Sequence, residues 1–445
     1  MASSFIGVLS HDDNLSVMRH PAQRHNVRVI EGLVRLLRRC RTLEQYDDFQ
    51  RTLFQHLHHR EQHRSDCRRC ASRLARGRSL PTPLPQLPSG ADPHDPKTWR
   101  IEDLVFDRVC RQLRAVGDAF AWRVSQYDRR YIIALSSNAS PGPMAGKSGL
   151  PHELGTTVAL RGRGSLGLLH DLTNCLRIGD VTEFKPDGSK LLYEIKSSPN
   201  AKTGPQRRRM RAAVEAVMDG GELPGRPGNR IVVPTERCRT HIRTFVTGID
   251  AAMRHGIAGT AISNSRALTA FSFDMLGRTR ADQPAQQLLD DFNAGRQKAI
   301  EDARIHTVLH LVQVASVARN HDFVPSVMPF ALFPLPPEQA ALLICDYLGF
   351  NITVALDRLA AELERRGFAA EIPLATANDN LVATDTVIRL RRGSRVLTLH
   401  PGALYEFLME RLNLDTWATA IAEVVDDPNA PAHPVLAFST TRVWR

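Results

Sequence analysis

The sequence predicts a mixed α+β fold: a small sheet flanked by helices, set between a helical N-terminal region and a helix-rich α+β C-terminal part. Three observations carry this. Apolar residues recur at helical spacing along much of the chain, as at Leu33, Leu36, Leu37 and Cys40. Short alternating runs bounded by turn residues lie between them, as at 121–127 and 181–184. Pro81, Pro83, Pro85, Pro88, Pro93 and Pro96 interrupt both patterns and exclude a helix from 79–97. A chain of 445 residues holds two or three domains with real cores. The expected division is a basic helical region 1–78, a linker 79–97, a central domain 98–260 and an accessory domain 261–445.

Taken in order, a second N-terminal helix is expected over 43–57, followed by His56, His58, His59, His63, Cys67 and Cys70. These are metal-ligand residue types, and Cys67-Arg-Arg-Cys70 has zinc-knuckle spacing. No second cysteine pair follows and the histidines keep no fixed interval, so a basic helix with incidental thiols is the preferred reading. After the linker, Thr98 can cap a helix over 99–116 that buries Ile101, Val105, Val109, Leu113 and Val116, with Gly117 ending it. Residues 121–127 and 130–136 alternate like strands, and 137–150 reads as a mobile loop. A short helix over 165–177 and a helix over 206–218 opened by Pro205 flank the next stretch, and IVVP at 231–234 completes a helix–strands–helix–strand unit. A helix over 240–255 follows. The C-terminal part reads as a strand at 268–273, helices at 285–292 and 300–318, and a proline-rich loop at 330–337. A helix pair at 338–348 and 353–366 comes next, and then a basic hairpin around Arg391-Arg392-Gly393-Ser394. Helix, turn, helix and hairpin is a winged-helix outline.

The most informative stretch is 179–198, GDVTEFKPDGSKLLYEIKSS. Pro186-Asp187-Gly188 has the chemistry of a three-residue hairpin loop with glycine in the left-handed position. If Lys185 faces Ser189, paired positions sum to 374 and Asp180 lies opposite Glu194. Opposed residues share a face about 5 Å apart, and Glu194 and Lys196, two apart, share it as well. Leu191, Tyr193 and Ile195 then point to the core. Two acids and a lysine on one rigid face suit a hard cation such as Mg²⁺. The cation polarises a phosphoryl oxygen, while Lys196 orients a water or stabilises developing charge.

At these residues the stretch resembles the PD-(D/E)xK nuclease superfamily, whose pattern is an acid on one strand and Glu-x-Lys on the next. Here it reads Asp180, thirteen intervening residues, then Glu194-Ile195-Lys196, with Gly179 in place of the proline. The resemblance covers 99–233 at most. It implies a restriction-endonuclease-like core, Mg²⁺ (with Mn²⁺ as a substitute) on Asp180 and Glu194, and phosphodiester hydrolysis of DNA. It further implies a polar residue on the following helix, where Gln206 falls, and an upstream acid. Glu102 is the first candidate for that acid, with Glu153 and Asp171 as alternatives.

Lys202, Arg207, Arg208, Arg209 and Arg211 crowd the start of that helix, where cations oppose its dipole. A bound polyanion would relieve the misfit, and a solvated charge run is the alternative. Net charge of +11 also favours a phosphate-bearing partner. Seven scattered cysteines, no leader-like N-terminus and no bilayer-length apolar run point to a cytoplasmic protein without membrane contact. No phosphate-loop or Gly-x-Ser-x-Gly motif is present. The expectation is a nuclease in bacterial defence or mobile-element biology, with a second copy or a regulatory protein as further partner. A repair or junction-resolving nuclease, a non-catalytic nucleic-acid-binding module and a scaffold protein stay open.

Overall fold

The computed structural model describes residues 12–137, 141–196, 204–279, 283–305, 326–371, 388–399, 401–410, 412–431 and 433–439. Helix α1 (Asp12–Arg19) leads into α2 (Pro21–Arg39), which buries Ile30, Leu33, Val34 and Leu37 on one face. Thr42 and Gln45 form a capping box that starts α3 (Leu43–Ala75). This helix continues far past residue 57 and carries the whole His/Cys run.

Helix α4 (Pro96–Val124) is capped by Asp95 rather than Thr98, and every residue from Gln112 to Trp122 on it is buried. Such a helix is the hub of its surroundings rather than a surface element. Gly117 lies inside it and does not end it: a Cβ at Gly117 would stand 1.8 Å from the Leu172 carbonyl oxygen. The glycine serves a close backbone approach. The strand-like runs at 121–136 are also helical, forming the end of α4 and α5 (Arg129–Leu135). Tyr131 to Leu135 are all buried, so no polar face marks the helical period there.

Helices α3 and α4 pack antiparallel, with Phe49 against Phe120 (centroids 5.1 Å apart) and His63 near Glu102. The proline-rich segment therefore joins two helices of one body instead of separating domains, and its Leu80 and Leu87 pack with Trp99 and Cys67. Arg38 on α2 donates to the carbonyls of Ala331 (3.1 Å) and Phe333 (2.7 Å), fastening the N-terminal helices to the C-terminal part.

Helix α6 (Leu150–Gly162) precedes β1 (Leu166–Leu169), β2 (Val181–Phe184) and β3 (Lys190–Tyr193), which form an antiparallel sheet in that order. A helix was expected over 165–177, and only a single 3₁₀ turn, His170–Leu172, is found. Tertiary contacts override the local pattern. The Gln50 side chain donates to Gly167 O (2.7 Å) and accepts from Leu169 N (3.0 Å), pairing the free side of β1.

Next come α7 (Gly204–Met218), β4 (Glu222–Leu223), β5 (Arg226–Val232), α8 (Ile242–His255), β6 (Ile257–Ser263), β7 (Arg266–Ser272), α9 (Phe273–Thr279) and α10 (Ala285–Asp302). The rest of the helix expected to 318 lies outside the described residues. The chain continues with α11 (Pro337–Ile344), β8 (Leu348–Val354), α12 (Leu356–Glu364), β9 (Ala369–Glu371), β10 (Ile388–Arg392) and β11 (Arg395–Leu399). It closes with α13 (Pro401–Met409), α14 (Leu414–Asp426) and β12 (His433–Leu436).

The architecture is α+β with small sheets. The single mixed sheet expected for the core is divided. Strand β5 lies between β4 and a parallel β12, and it does not join β1–β3. The expected boundary at 260 falls inside β6, and β12 returns from the C-terminal end to pair with β5. The winged-helix outline fails as well: β8 separates the helix pair and pairs with β7, although the basic hairpin β10–β11 is present. No helix among the described residues is long and apolar enough to cross a membrane.

The packing at Gly117 leads to a direct test. Helix propensity alone favours Gly117→Ala by about 1 kcal/mol, whereas the overlap with Leu172 O costs about 2–4 kcal/mol. Denaturant unfolding should show net destabilisation, and a more stable variant would contradict the packing described.

Candidate functional site

The β2–β3 hairpin has the register its turn chemistry dictates. Val181 pairs with Tyr193, and Phe184 with Lys190. Lys185 N donates to Ser189 O (3.0 Å), Gly188 N donates to Lys185 O (3.0 Å), and Gly188 has φ +84°. One step beyond the ladder, Asp180 N donates to Tyr193 O at 2.8 Å, one residue out of the ladder's register, so the regular pairing ends at Val181 and the expected Asp180–Glu194 pair is not formed. The Asp180 Oδ2 atom accepts from Ile195 N at 2.7 Å. Glu194 and Lys196 form an ion pair. On the other face Leu191 is 43% exposed rather than buried, because β3 is the edge strand of its sheet.

A third acid joins from α6. Glu153 stands in its first turn and is buried. Lys147, in the preceding loop, bridges the cluster: its Nζ lies 2.7 Å from Glu153 Oε1, 2.7 Å from Asp171 Oδ2 and 3.8 Å from Asp180 Oδ1. Of the three candidates for the upstream acid, Glu153 and Asp171 are therefore beside Asp180. Glu102 is not: its carboxylate goes to His20 (2.8 Å) and His63 (3.4 Å) near the start of α4. Glu102 does lie on a helix, as expected, but that turn of α4 faces α2 and α3. Lys147 gives no signal of its own in the sequence, since its Ser-, Pro- and Gly-rich surroundings read as a loop. The Pro151 that opens α6 is the available signal for placing Glu153 in a helical first turn.

The loop before Asp180 is held by buried polar groups. Asp118 on α4 accepts from Asn174 N (2.6 Å), Cys175 N (2.8 Å) and Asn174 Nδ2 (2.9 Å). Arg114 Nε donates to Asp171 O at 3.0 Å. His170 Nδ1 lies 3.1 Å from Gly179 O and its Nε2 lies 2.7 Å from Thr182 Oγ1, which in turn accepts from Tyr131 OH. These contacts make Nδ1 the donor and Nε2 the acceptor. Burial lowers the His170 pKa to about 3, with the Arg177 charge adding to the effect, so the ring is a neutral strut and not a proton carrier. Gly179 has φ +82°, a conformation closed to proline. A proline is therefore excluded from the left-handed turn into Asp180.

Electrostatically the cluster is strained. Burial raises the Asp180 pKa, Glu194 and Asp171 raise it further, and the Ile195 N–H and Lys147 oppose them. Burial likewise raises Glu153, against the pull of Lys147, with Asp180 and Asp171 adding to the rise. Glu153 Oε2 is buried without a hydrogen-bond partner among the described residues. Gln206 is half-buried in the first turn of α7, and no hydrogen bond among the described residues joins it to the acids. Arg207, Arg208, Arg209 and Arg211 are exposed on α7, where Arg211 lies 3.5 Å from Glu215. Lys202 lies outside the described residues.

The raised carboxyl pKa values have a defined thermodynamic sign. The folded state keeps a proton that the unfolded chain has already lost, so stability falls as pH rises from the ordinary carboxylate pKa through the raised one. Asp180→Asn and Glu153→Gln should therefore raise Tm at neutral pH by on the order of 1–2 °C, and the gain should vanish below about pH 4. Equal loss of Tm at both pH values would show instead that the Lys147 ion pairs dominate. No protein-family model, no curated protein and no solved structure matches this chain, so its chemistry has to be read from its own residues.

Proposed function

We propose that this chain is a Mg²⁺-dependent nuclease that hydrolyses phosphodiester bonds, with DNA as the substrate class. The observation that carries the proposal is the convergence of Asp180, Glu153 and Asp171 around Lys147, with Glu194 and Lys196 just beyond the end of β3. They stand on a helix–three-strand–helix unit, α6–β1–β2–β3–α7.

The donor chemistry suits a hard divalent cation, and the carboxylate oxygens would have to draw closer together to hold one, since only His63, Cys67 and Glu102 meet within 4.8 Å among the described residues. All the donors at the carboxylate site are carboxylate oxygens, and one of them, Glu153 Oε2, is buried and unsatisfied. Four carboxylates against the ammonium groups of Lys147 and Lys196 leave a formal charge of −2. Asp180, Glu194 and Glu153 would hold the ion, and Asp171 would keep Lys147 in place. When bound, such a cation supplies Lewis-acid stabilisation of charge on a phosphoryl oxygen.

The protein's own groups do the rest. Lys196, exposed beside Glu194, reaches a substrate phosphate or orients the attacking water. Lys147 offers a second cation for charge that develops on the phosphate. Arg207, Arg208, Arg209 and Arg211 lie exposed on the helix that follows β3, where they would contact the backbone without reading sequence. A role in bacterial defence or in a mobile element suits a basic nuclease with no motor motif.

Cleavage of linear and supercoiled DNA with Mg²⁺, Mn²⁺ or EDTA tests the proposal. Metal-dependent cleavage should fall at least about 100-fold in Asp180→Asn, Glu194→Gln and Glu153→Gln, with DNA binding retained. DNA binding without cleavage by the wild type under every metal condition would favour a binding module. In a separate titration, replacing Arg207, Arg208 and Arg209 with Ala should reduce the slope of log affinity against log salt by roughly 2–3. An unchanged slope would remove α7 from the nucleic-acid interface.

A further inference from the structure

A second cluster lies near the start of α4 and shares no residue with the carboxylate site. His63 and Cys67 are four apart on α3 and so share one face of that helix. Glu102 reaches them from the antiparallel α4. A histidine ring nitrogen, the Cys67 Sγ and a Glu102 carboxylate oxygen all lie within 4.8 Å of one another. Ligand atoms of a tetrahedral zinc site stand about 3.3–3.8 Å apart, given bond lengths of about 2.0–2.3 Å. The 3.4 Å between His63 Nε2 and Glu102 Oε2 already meets that spacing, and the thiol lies within 4.8 Å of a ligand atom of each.

The surroundings orient these atoms. His20 Nδ1 accepts from Ala22 N (3.2 Å), so its Nε2 carries the proton and donates to Glu102 Oε1 at 2.8 Å. That leaves Glu102 Oε2 directed at His63. Phe106, with its centroid 4.1 Å from that of His63, holds the imidazole in place. The nearby cations Arg64 and Arg68 are taken up by Asp103 and Asp107, so they do not compensate Glu102. Cys67 is fully buried, and its thiol makes no hydrogen bond among the described residues. Burial, with Glu102 next, pushes its pKa up, so the free thiol stays protonated and metal loading would release that proton. The plainer account, a buried carboxylate satisfied by two histidines, explains His20 and His63. Cys67 also packs as a small apolar side chain beside Trp99, and what favours a metal over that account is the approach of nitrogen, sulfur and oxygen donors within 4.8 Å of one another.

We propose that His63, Cys67 and Glu102 form a zinc site, with the fourth position open to water beside the 15%-exposed His63 side chain. Nitrogen, sulfur and oxygen donors together select Zn²⁺ over Mg²⁺, so this site and the carboxylate site take different ions. Its role follows from its position: it fastens α3 to α4, and through Glu102 to the cap of α2.

Elemental analysis of the full-length protein tests this. The protein as purified, or after chelation and reloading with Zn²⁺, should hold about one tightly bound zinc per chain. Cys67→Ser, nearly isosteric, should lower that content at least about tenfold, and Asp180→Asn should leave it unchanged. Should Cys67→Ser fail to fold, Co²⁺ loading of the wild type reports the same ligand through a thiolate-to-cobalt charge-transfer band. Absence of stoichiometric zinc after reloading, retention of zinc by Cys67→Ser, or a cobalt complex without the thiolate band would each overturn the proposal.

Discussion

The carboxylate of Asp118 is the contact on which the site's geometry rests. It is buried in the C-terminal third of α4 and accepts three hydrogen bonds from Asn174 and Cys175. Burial raises its pKa, so the cost of placing it there has to be offset by those donors. The exchange holds the loop between β1 and β2 against α4. With Arg114 bonded to the Asp171 carbonyl and Gly117 packed under Leu172, one face of one helix sets the path of the chain from His170 to Asp180. A helix buried on every side gives that precision, since it has no surface along which to shift.

The acids placed by this scaffold repel one another. Asp180 and Glu153 both sit above their ordinary pKa, and one oxygen of Glu153 lacks a partner among the described residues. Lys147 relieves part of this by sitting among three carboxylates. A group of like charges kept close in this way destabilises the free protein and stabilises a cation-loaded one, the usual trade between stability and function. The cluster around Glu102 is built on other terms: its carboxylate is satisfied by two histidines, and its pKa is lowered by them in spite of burial.

Legibility in the sequence follows the range of the forces involved. The hairpin register is readable because a Pro-Asp-Gly loop leaves few alternatives and strand side chains alternate with period two. The ladder has the register that the turn chemistry implies from Val181 to Phe184, and it ends one residue short of Asp180, which bonds to Tyr193 O. The upstream acid is not readable. Glu102, Glu153 and Asp171 are each plausible in a helical first turn or near the motif, and only the packing of α6 against β1 separates Glu153 and Asp171 from Glu102. The His/Cys run looks irregular along the sequence because one of its partners, Glu102, comes from a different helix.

The wrong readings share a cause. Residues 121–136 look like strands because their helices are buried on nearly every side and lack the polar face that marks the period. Residues 166–169 look helical, yet they form a strand whose free side is paired by the distant Gln50. The proline-rich segment looks like a domain boundary, although it only turns the chain between α3 and α4. What the sequence determined by itself was local: the hairpin turn and the register of the ladder that it starts, set by contacts within about twenty residues. What the tertiary structure alone decided was which distant groups meet. The division of the expected sheet, the pairing of β12 with β5, and the meeting of Lys147, Glu153 and Asp171 at Asp180 depend on burial and on hydrogen bonds between segments whose separation along the chain carries no periodic signal.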